Sequence, residues 1–151
     1  MATKAMKSIM VIFLFFCVGN ALAQKIGIEV SEASIREPVG GQDFTVGYCL
    51  LRNAGKMNDK LLKVTSDVIG FFEIHEMSIQ NGVMRMRELP DGLVVPKGGV
   101  VYLKPGGLHL MLFDIKAPLA VGKHFQAVFH FQKAGPLSVR FTVESRHTQQ
   151  K

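Results

Sequence analysis

Short runs of alternating apolar and polar residues, separated by turn residues, dominate the chain from residue 24 onward. A period of two places every second side chain on the same face, so such runs indicate half-buried strands rather than helices. No stretch of the sequence shows a sustained 3.6-residue period, and no segment is repeated. The pattern therefore predicts an all-β domain, a Greek-key β-barrel or sandwich of about nine strands.

Glycine, proline and asparagine mark the ends of the predicted strands. All six prolines fall at the proposed boundaries, where a missing backbone N–H does not interrupt a hydrogen-bonded ladder. The runs that define the predicted strands are Ile26–Val30, Phe44–Leu51, Leu61–Val64, Phe71–Met77, Val83–Arg87, Val100–Leu103, Leu108–Phe113, Phe125–Phe131 and Leu137–Val143.

The first 23 residues differ in composition from the rest of the chain. Lys4 and Lys7 precede the apolar run Ile9–Val18, and a small-x-small motif ends at Ala23. This order is typical of a Sec-type signal peptide. The apolar run is too short to span a bilayer, which needs about 20 residues. We therefore expect cleavage after Ala23 and a periplasmic protein without stable membrane insertion. We also expect a monomer.

Residues 24–144 are expected to form one domain, followed by a flexible tail over residues 145–151. Without residues 1–23, the chain keeps 16 of its 18 basic residues and all 12 acidic ones, so its formal charge is +4. It has no long basic run interleaved with aromatic residues, and we expect no nucleic-acid partner. No nucleophile–base pair or glycine-rich phosphate loop is present in the sequence, which favours a binding protein over an enzyme.

Methionine and histidine are the residues in this sequence that indicate specific chemistry. Within each of three predicted strands, two such residues are two positions apart and therefore share a face. Thioether sulfur is soft and uncharged, and together with imidazole it favours Cu(I) over zinc, magnesium or calcium. The three same-face pairs are His75 with Met77, Met84 with Met86, and His109 with Met111.

The segments around these pairs are Glu73–Met77 (EIHEM), Gly82–Arg87 (GVMRMR) and Lys104–Leu112 (KPGGLHLML). They resemble the PCu(A)C family of periplasmic copper chaperones, and the resemblance covers nearly all of the chain after residue 23. The family pattern is His, ten residues, Met, about twenty-one residues, and then His-x-Met. Here ten residues separate His75 from Met86, and twenty-two separate Met86 from His109.

The resemblance implies a cupredoxin-like β-barrel that binds one Cu(I) and passes it to another protein. The implied recipient is a copper-accepting protein such as a cytochrome c oxidase subunit, and a thiol-based copper chaperone is a further expected partner. Met77 and Met84 remain alternatives to Met86. By the resemblance, the ligands of the copper-binding domain would be His75, Met86, His109 and Met111.

An adhesion or structural β-domain with an incidental methionine cluster remains an alternative, and so do two other copper functions. One is copper storage or scavenging without a dedicated recipient. The other is electron transfer, for which a blue-copper site needs a Cys thiolate beside two imidazoles and an axial Met. Cys49 is the only cysteine after residue 23 and lies far from the Met/His segments, within an apolar run that predicts a buried thiol.

Three further features of the sequence carry expectations of their own. Glu73 shares the strand face of His75 and could orient its ring, although a solvated carboxylate is the expected outcome. Pro105-Gly106-Gly107 is expected to form the turn that positions His109. His130, between two inward-facing phenylalanines, is expected to face solvent.

Overall fold

The computed structural model describes residues 27–40 and 42–147. The predicted signal peptide and the last four residues of the predicted tail lie outside this part of the chain. No helix within the described residues has the length and apolar character needed to cross a bilayer. The strands are β1 Ile28–Arg36, β2 Phe44–Asn53, β3 Asp59–Thr65, β4 Ile69–Gln80, β5 Val83–Glu88, β6 Leu93–Val95, β7 Val100–Leu103, β8 Leu108–Ile115, β9 His124–Phe131 and β10 Gly135–Glu144.

Each of the nine predicted runs overlaps one observed strand, and β6 is an additional strand. β6 has only three residues, and a run that short shows too little alternation to be recognised. One boundary prediction was wrong, because Pro136 is the second residue of β10 and lies opposite His130 of β9. Its position at the beginning of the strand is one of the few that a sheet tolerates for proline.

The ten strands form one mixed sheet in the order β5-β4-β8-β7-β2-β1-β10-β9-β3-β6, and β2 also pairs with β8. Two of the pairings are parallel, β1 with β10 and β7 with β8, and the others are antiparallel. The hairpin of β4 and β5 therefore lies at one end of the sheet, with β8 as its inner neighbour.

Side chains from every strand except β5 contribute to a single buried apolar cluster, so the sheet curls around one core. The alternation predicted for β8 is observed, because Leu110 and Leu112 are fully buried. Cys49 is buried in the same cluster, as its sequence context predicted, and burial raises the pKa of its thiol to about 12. The largest fully buried side chains are Phe129, Phe141, Ile35, Leu51, Leu61 and Ile69.

Candidate metal centre

A tight turn fixes the register of the β4–β5 hairpin. Gln80 pairs with Val83, and the two residues between them, Asn81 and Gly82, have φ angles of 52° and 76°. Two central residues with positive φ define the type I′ turn that matches the twist of a hairpin, and Asn-Gly is its preferred sequence. This turn places Met77 of β4 directly opposite Met86 of β5.

The register between β4 and β8 brings the two histidines together. His75 lies directly opposite His109, and Glu73 lies directly opposite Met111. Residues that face each other across an antiparallel pair point to the same side of the sheet, with Cβ atoms about 4.5–5.5 Å apart. The structure therefore places the four predicted site residues on one face of β5, β4 and β8: His75, Met86, His109 and Met111.

Exposure on this face increases from β8 towards the edge of the sheet. His109 is only 3% exposed and Met111 is half-buried. On β4, the His75 side chain is 14% exposed. Met86, on the edge strand, is 51% exposed. The site therefore has imidazoles at its inner side and a thioether at its accessible side.

The backbone of the turn before β8 fixes the His109 ring. His109 Nδ1 donates to the carbonyl oxygen of Gly107 at 3.0 Å. The same oxygen accepts the backbone N–H of Met77 at 3.1 Å. Gly106 has a φ of +77°, and the Gly107 N–H donates to Lys104 O at 3.2 Å, so Lys104 to Gly107 forms a turn with proline and glycine at its centre. The expected role of this turn in positioning His109 is confirmed.

His75 is held by a carboxylate rather than by the backbone. Its Nε2 donates to Glu73 Oε2 at 2.8 Å. The expectation of a solvated Glu73 was therefore wrong, because its Oε2 accepts this bond and its side chain, opposite Met111 of β8, is only 29% exposed. The signal in the sequence was the two-residue spacing, which brings the carboxylate and the ring to the same face.

The second nitrogen of His75 has no partner. Of the buried side-chain nitrogen and oxygen atoms in the part of the chain that the structure describes, His75 Nδ1 alone lacks a hydrogen bond. A buried polar atom without a partner is destabilising, and a bound ion at that atom is one of the explanations for it in native proteins. The rings of His75 and His109 have centroids 5.7 Å apart at an interplanar angle of 63°.

These residues fit a metal ion bound between the two rings. With metal–nitrogen bonds of about 2.0–2.1 Å, two imidazoles on one ion have centroids roughly 6 Å apart. The thioethers on this face are those of Met111, Met77, Met86 and, further from the rings, Met84, and thioethers suit a soft monovalent ion. Within residues 27–40 and 42–147, no three His, Cys, Asp or Glu side chains form a metal-binding group.

Two other histidines lie on β9 and have other partners. His130 Nε2 is within 2.9 Å of Thr65 Oγ1, and His124 Nδ1 is within 3.1 Å of Thr142 Oγ1. His130, expected to face solvent, is half-buried. Neither residue belongs to the β5–β4–β8 face.

The pattern of the family described as "Putative lipoprotein LpqE-like" matches residues 28–143 of the chain. A protein of Leifsonia xyli subsp. xyli, named "Putative lipoprotein Lxx21020", is 29% identical over 121 residues. The matched region is 80% of this chain and 72% of that protein.

Two solved structures have a similar fold. The "Copper-bound PCuAC domain from PmoF2" is 25% identical, with a TM-score of 0.68, and the match covers 79% of this chain and 93% of that one. The Cu(I) form of DR1885 from Deinococcus radiodurans is 24% identical, with a TM-score of 0.65, and the match covers 84% and 85% of the two chains. The predicted all-β, cupredoxin-like fold is confirmed.

Proposed function

We propose, for a chain that belongs to the LpqE-like family, that the face of β5, β4 and β8 binds one Cu(I) ion as cargo and delivers it to another protein. The observation that supports this most directly is the buried Nδ1 of His75, which has no hydrogen-bond partner and belongs to a ring whose centroid is 5.7 Å from that of His109. The copper-bound neighbour with the same fold gives independent support.

The proposed ligands are His75, Met86, His109 and Met111. All four are neutral donors, and two imidazoles with two thioethers favour Cu(I) over harder divalent ions. Thioethers need no deprotonation and cannot be consumed by disulfide formation, which suits an oxidising compartment. The proposed location is the periplasm, reached through the signal peptide predicted over residues 1–23.

The accessibility of the face supports delivery. Met86 lies on the edge strand, where an incoming soft ligand can replace it before the more buried imidazoles are displaced. Neutral ligands leave one at a time without a build-up of unpaired charge. The proposed recipient is a copper protein such as a cytochrome c oxidase subunit, with a thiol-based copper chaperone as a further partner.

Storage or scavenging would use the same ligands without a recipient and is the main alternative. Electron transfer receives less support, because a blue-copper site needs a thiolate among its ligands. Cys49 is 4% exposed in the core, and its pKa of about 12 keeps the thiol protonated. No enzymatic step is proposed.

An anaerobic titration of Cu(I) against a chromogenic chelator tests the binding site. The Met86→Leu/Met111→Leu variant should lose at least about tenfold in affinity, because both changes remove a donor while keeping approximate volume. Met57→Leu is the matched control, since Met57 is 63% exposed in the loop between β2 and β3. Equal competition by the wild type and the double variant would contradict the ligand assignment.

Mixing the Cu(I)-loaded protein with the soluble copper domain of an oxidase tests delivery. Movement of copper to that domain, followed after the two proteins are separated, is the expected result. Retention of copper by the chain would favour storage or scavenging.

A further inference from the structure

We propose that Glu73 is a positioning residue that sets the tautomer of His75, so that His75 binds Cu(I) through Nδ1 whereas His109 binds through Nε2. This inference rests on the proposed function and specifies which nitrogen of each ring is the ligand. It also assigns a role to a carboxylate that is not itself a ligand.

The hydrogen bond between Glu73 and His75 determines where the proton of the His75 ring lies. An ionised carboxylate only accepts hydrogen bonds, so the 2.8 Å contact with Oε2 requires the proton on Nε2 of His75. A neutral imidazole carries one N–H, and the lone pair is then on Nδ1. Nδ1 is the buried atom without a partner, and a lone pair in that position is available to a metal ion.

The opposite arrangement holds for His109. A backbone carbonyl also only accepts, so the 3.0 Å contact with Gly107 O requires the proton on Nδ1 of His109. Its lone pair is therefore on Nε2. The two rings lie directly opposite each other, yet a carboxylate fixes one tautomer and a backbone carbonyl fixes the other.

Partial burial strengthens the contact between Glu73 and His75. Their side chains are 29% and 14% exposed, so water competes less for this charge-assisted hydrogen bond than it would at an open surface. The carboxylate also places one negative charge against a ring that would bind a monovalent cation. Metal-bound histidines commonly have such a hydrogen-bonded partner, which orients the ring and raises its basicity.

Glu76 provides a matched comparison on the same strand. It is adjacent to His75 in sequence but lies on the opposite face, where its Oε2 accepts from Arg87 at 2.8 Å in an exposed ion pair. Removing either carboxylate changes the net charge by the same amount. Only the loss of Glu73 removes the hydrogen bond to the ring.

The test is two-bond ¹H–¹⁵N NMR of histidine in the full chain, without metal and with Cu(I), which is diamagnetic. In the wild type we expect the Nε2–H form of His75 and the Nδ1–H form of His109. Cu(I) should then shift His75 Nδ1 and His109 Nε2. A Cu(I)-induced shift at His75 Nε2, or an apo His75 in the Nδ1–H form, would overturn the proposal.

Variants give a second readout. Glu73→Leu should turn His75 into a mixture of tautomers and weaken Cu(I) binding about tenfold or more. Glu76→Leu should leave the His75 tautomer unchanged and the Cu(I) affinity within about twofold of wild type. Glu73→Gln should retain most of the Nε2–H form, because its amide oxygen can still accept the bond. An unchanged His75 tautomer in Glu73→Leu would contradict the positioning role.

The two proposals fail in distinguishable ways. If Cu(I) shifts neither ring, the proposed function is wrong, and the nitrogen assignment falls with it. If Cu(I) shifts both rings but through a different nitrogen of His75, the function stands and only the role of Glu73 is wrong. The wild-type spectra decide between these cases even if a Glu73 variant fails to fold.

Discussion

Met77 and Met86 lie directly opposite each other across the β4–β5 hairpin, on the face that also holds His75 and His109. The register therefore places two thioethers, rather than one, at the same distance along the strands from the histidine pair. Met84 lies one pair further out, opposite Ile79. The hairpin thus has two candidate donors near the histidines, Met77 and Met86, and one further away, Met84.

Single methionine variants should separate these candidates. We expect Met86→Leu to lower Cu(I) affinity about tenfold or more, and Met84→Leu to leave it within about twofold. Met84 lies two residues beyond Met86, which corresponds to about 7 Å along a strand. Met77→Leu tests the alternative ligand by the same chelator competition. A larger loss for Met77→Leu than for Met86→Leu would reassign the β4–β5 donor to Met77.

The turn before β8 should couple stability to metal binding. In Gly106→Ala the alanine must adopt a φ of +77°, which lowers the free energy of unfolding by about 1 kcal/mol. Because the next carbonyl, that of Gly107, holds both the His109 ring and the Met77 N–H, we also expect weaker Cu(I) binding. Urea denaturation and chelator competition measure the two effects.

Gly98→Ala is the control for that prediction. Gly98 also has a positive φ, of 66°, in a similar turn between β6 and β7, and an added Cβ has no atom within 4 Å at either glycine. It should lose comparable stability without a change in Cu(I) affinity. Equal losses of affinity in Gly98→Ala and Gly106→Ala would show that the effect is not specific to the turn before β8.

Asp59 should be important for stability although it is remote from the site. Its carboxylate is buried and accepts the backbone N–H groups of Lys60, Lys133 and Ala134 at 2.7–2.9 Å. Asp59→Asn replaces one accepting oxygen with a donor, so we expect a loss of about 1–3 kcal/mol in the free energy of unfolding. Asp91→Asn, at an exposed turn position, should change it by less than about 0.5 kcal/mol.

Alkaline pH should destabilise the fold through Cys49. Burial raises the thiol pKa from 9.0 to about 12, so above pH 9 the unfolded chain loses a proton that the folded protein keeps. The unfolded state then binds fewer protons, and the free energy of unfolding falls by up to about 1.4 kcal/mol per pH unit until the pH approaches the folded-state pKa.

Cys49→Ala isolates this contribution. Tyr48, whose pKa is also raised by burial against the opposing effect of Arg36, keeps its own pH dependence in both proteins. Denaturation at several pH values should therefore give a shallower decrease for the variant. Parallel curves for the two proteins would exclude the thiol as the cause.

The alternation of apolar residues was sufficient to predict nine strands and the residues that share a face within each strand. It could not predict the register between strands. His75 lies opposite His109 because β4 pairs with β8, and these two strands are separated in sequence by β5, β6 and β7. Asp59 shows the same limitation, since two of its three donors lie more than 70 residues away.

The hydrogen bond of Glu73 could not be predicted from the sequence for a different reason. Its spacing from His75 showed that the two side chains share a face, but not that they are bonded. A carboxylate beside a histidine on an exposed strand remains hydrated, whereas one that is partly buried beside a neighbouring strand accepts a hydrogen bond from the nearest N–H. The packing of β8 decides between these outcomes, and that packing is a tertiary property.

β5 has all six residues exposed and contributes none of them to the core. A segment with so few buried contacts can detach from its neighbour at a lower free-energy cost than global unfolding. Its amide hydrogens should therefore exchange with solvent faster than those of β8, and Cu(I) should slow that exchange if Met86 is a ligand. Loading and release of the ion would then be coupled to a local order–disorder equilibrium of one edge strand, while the two imidazoles remain on a rigid support.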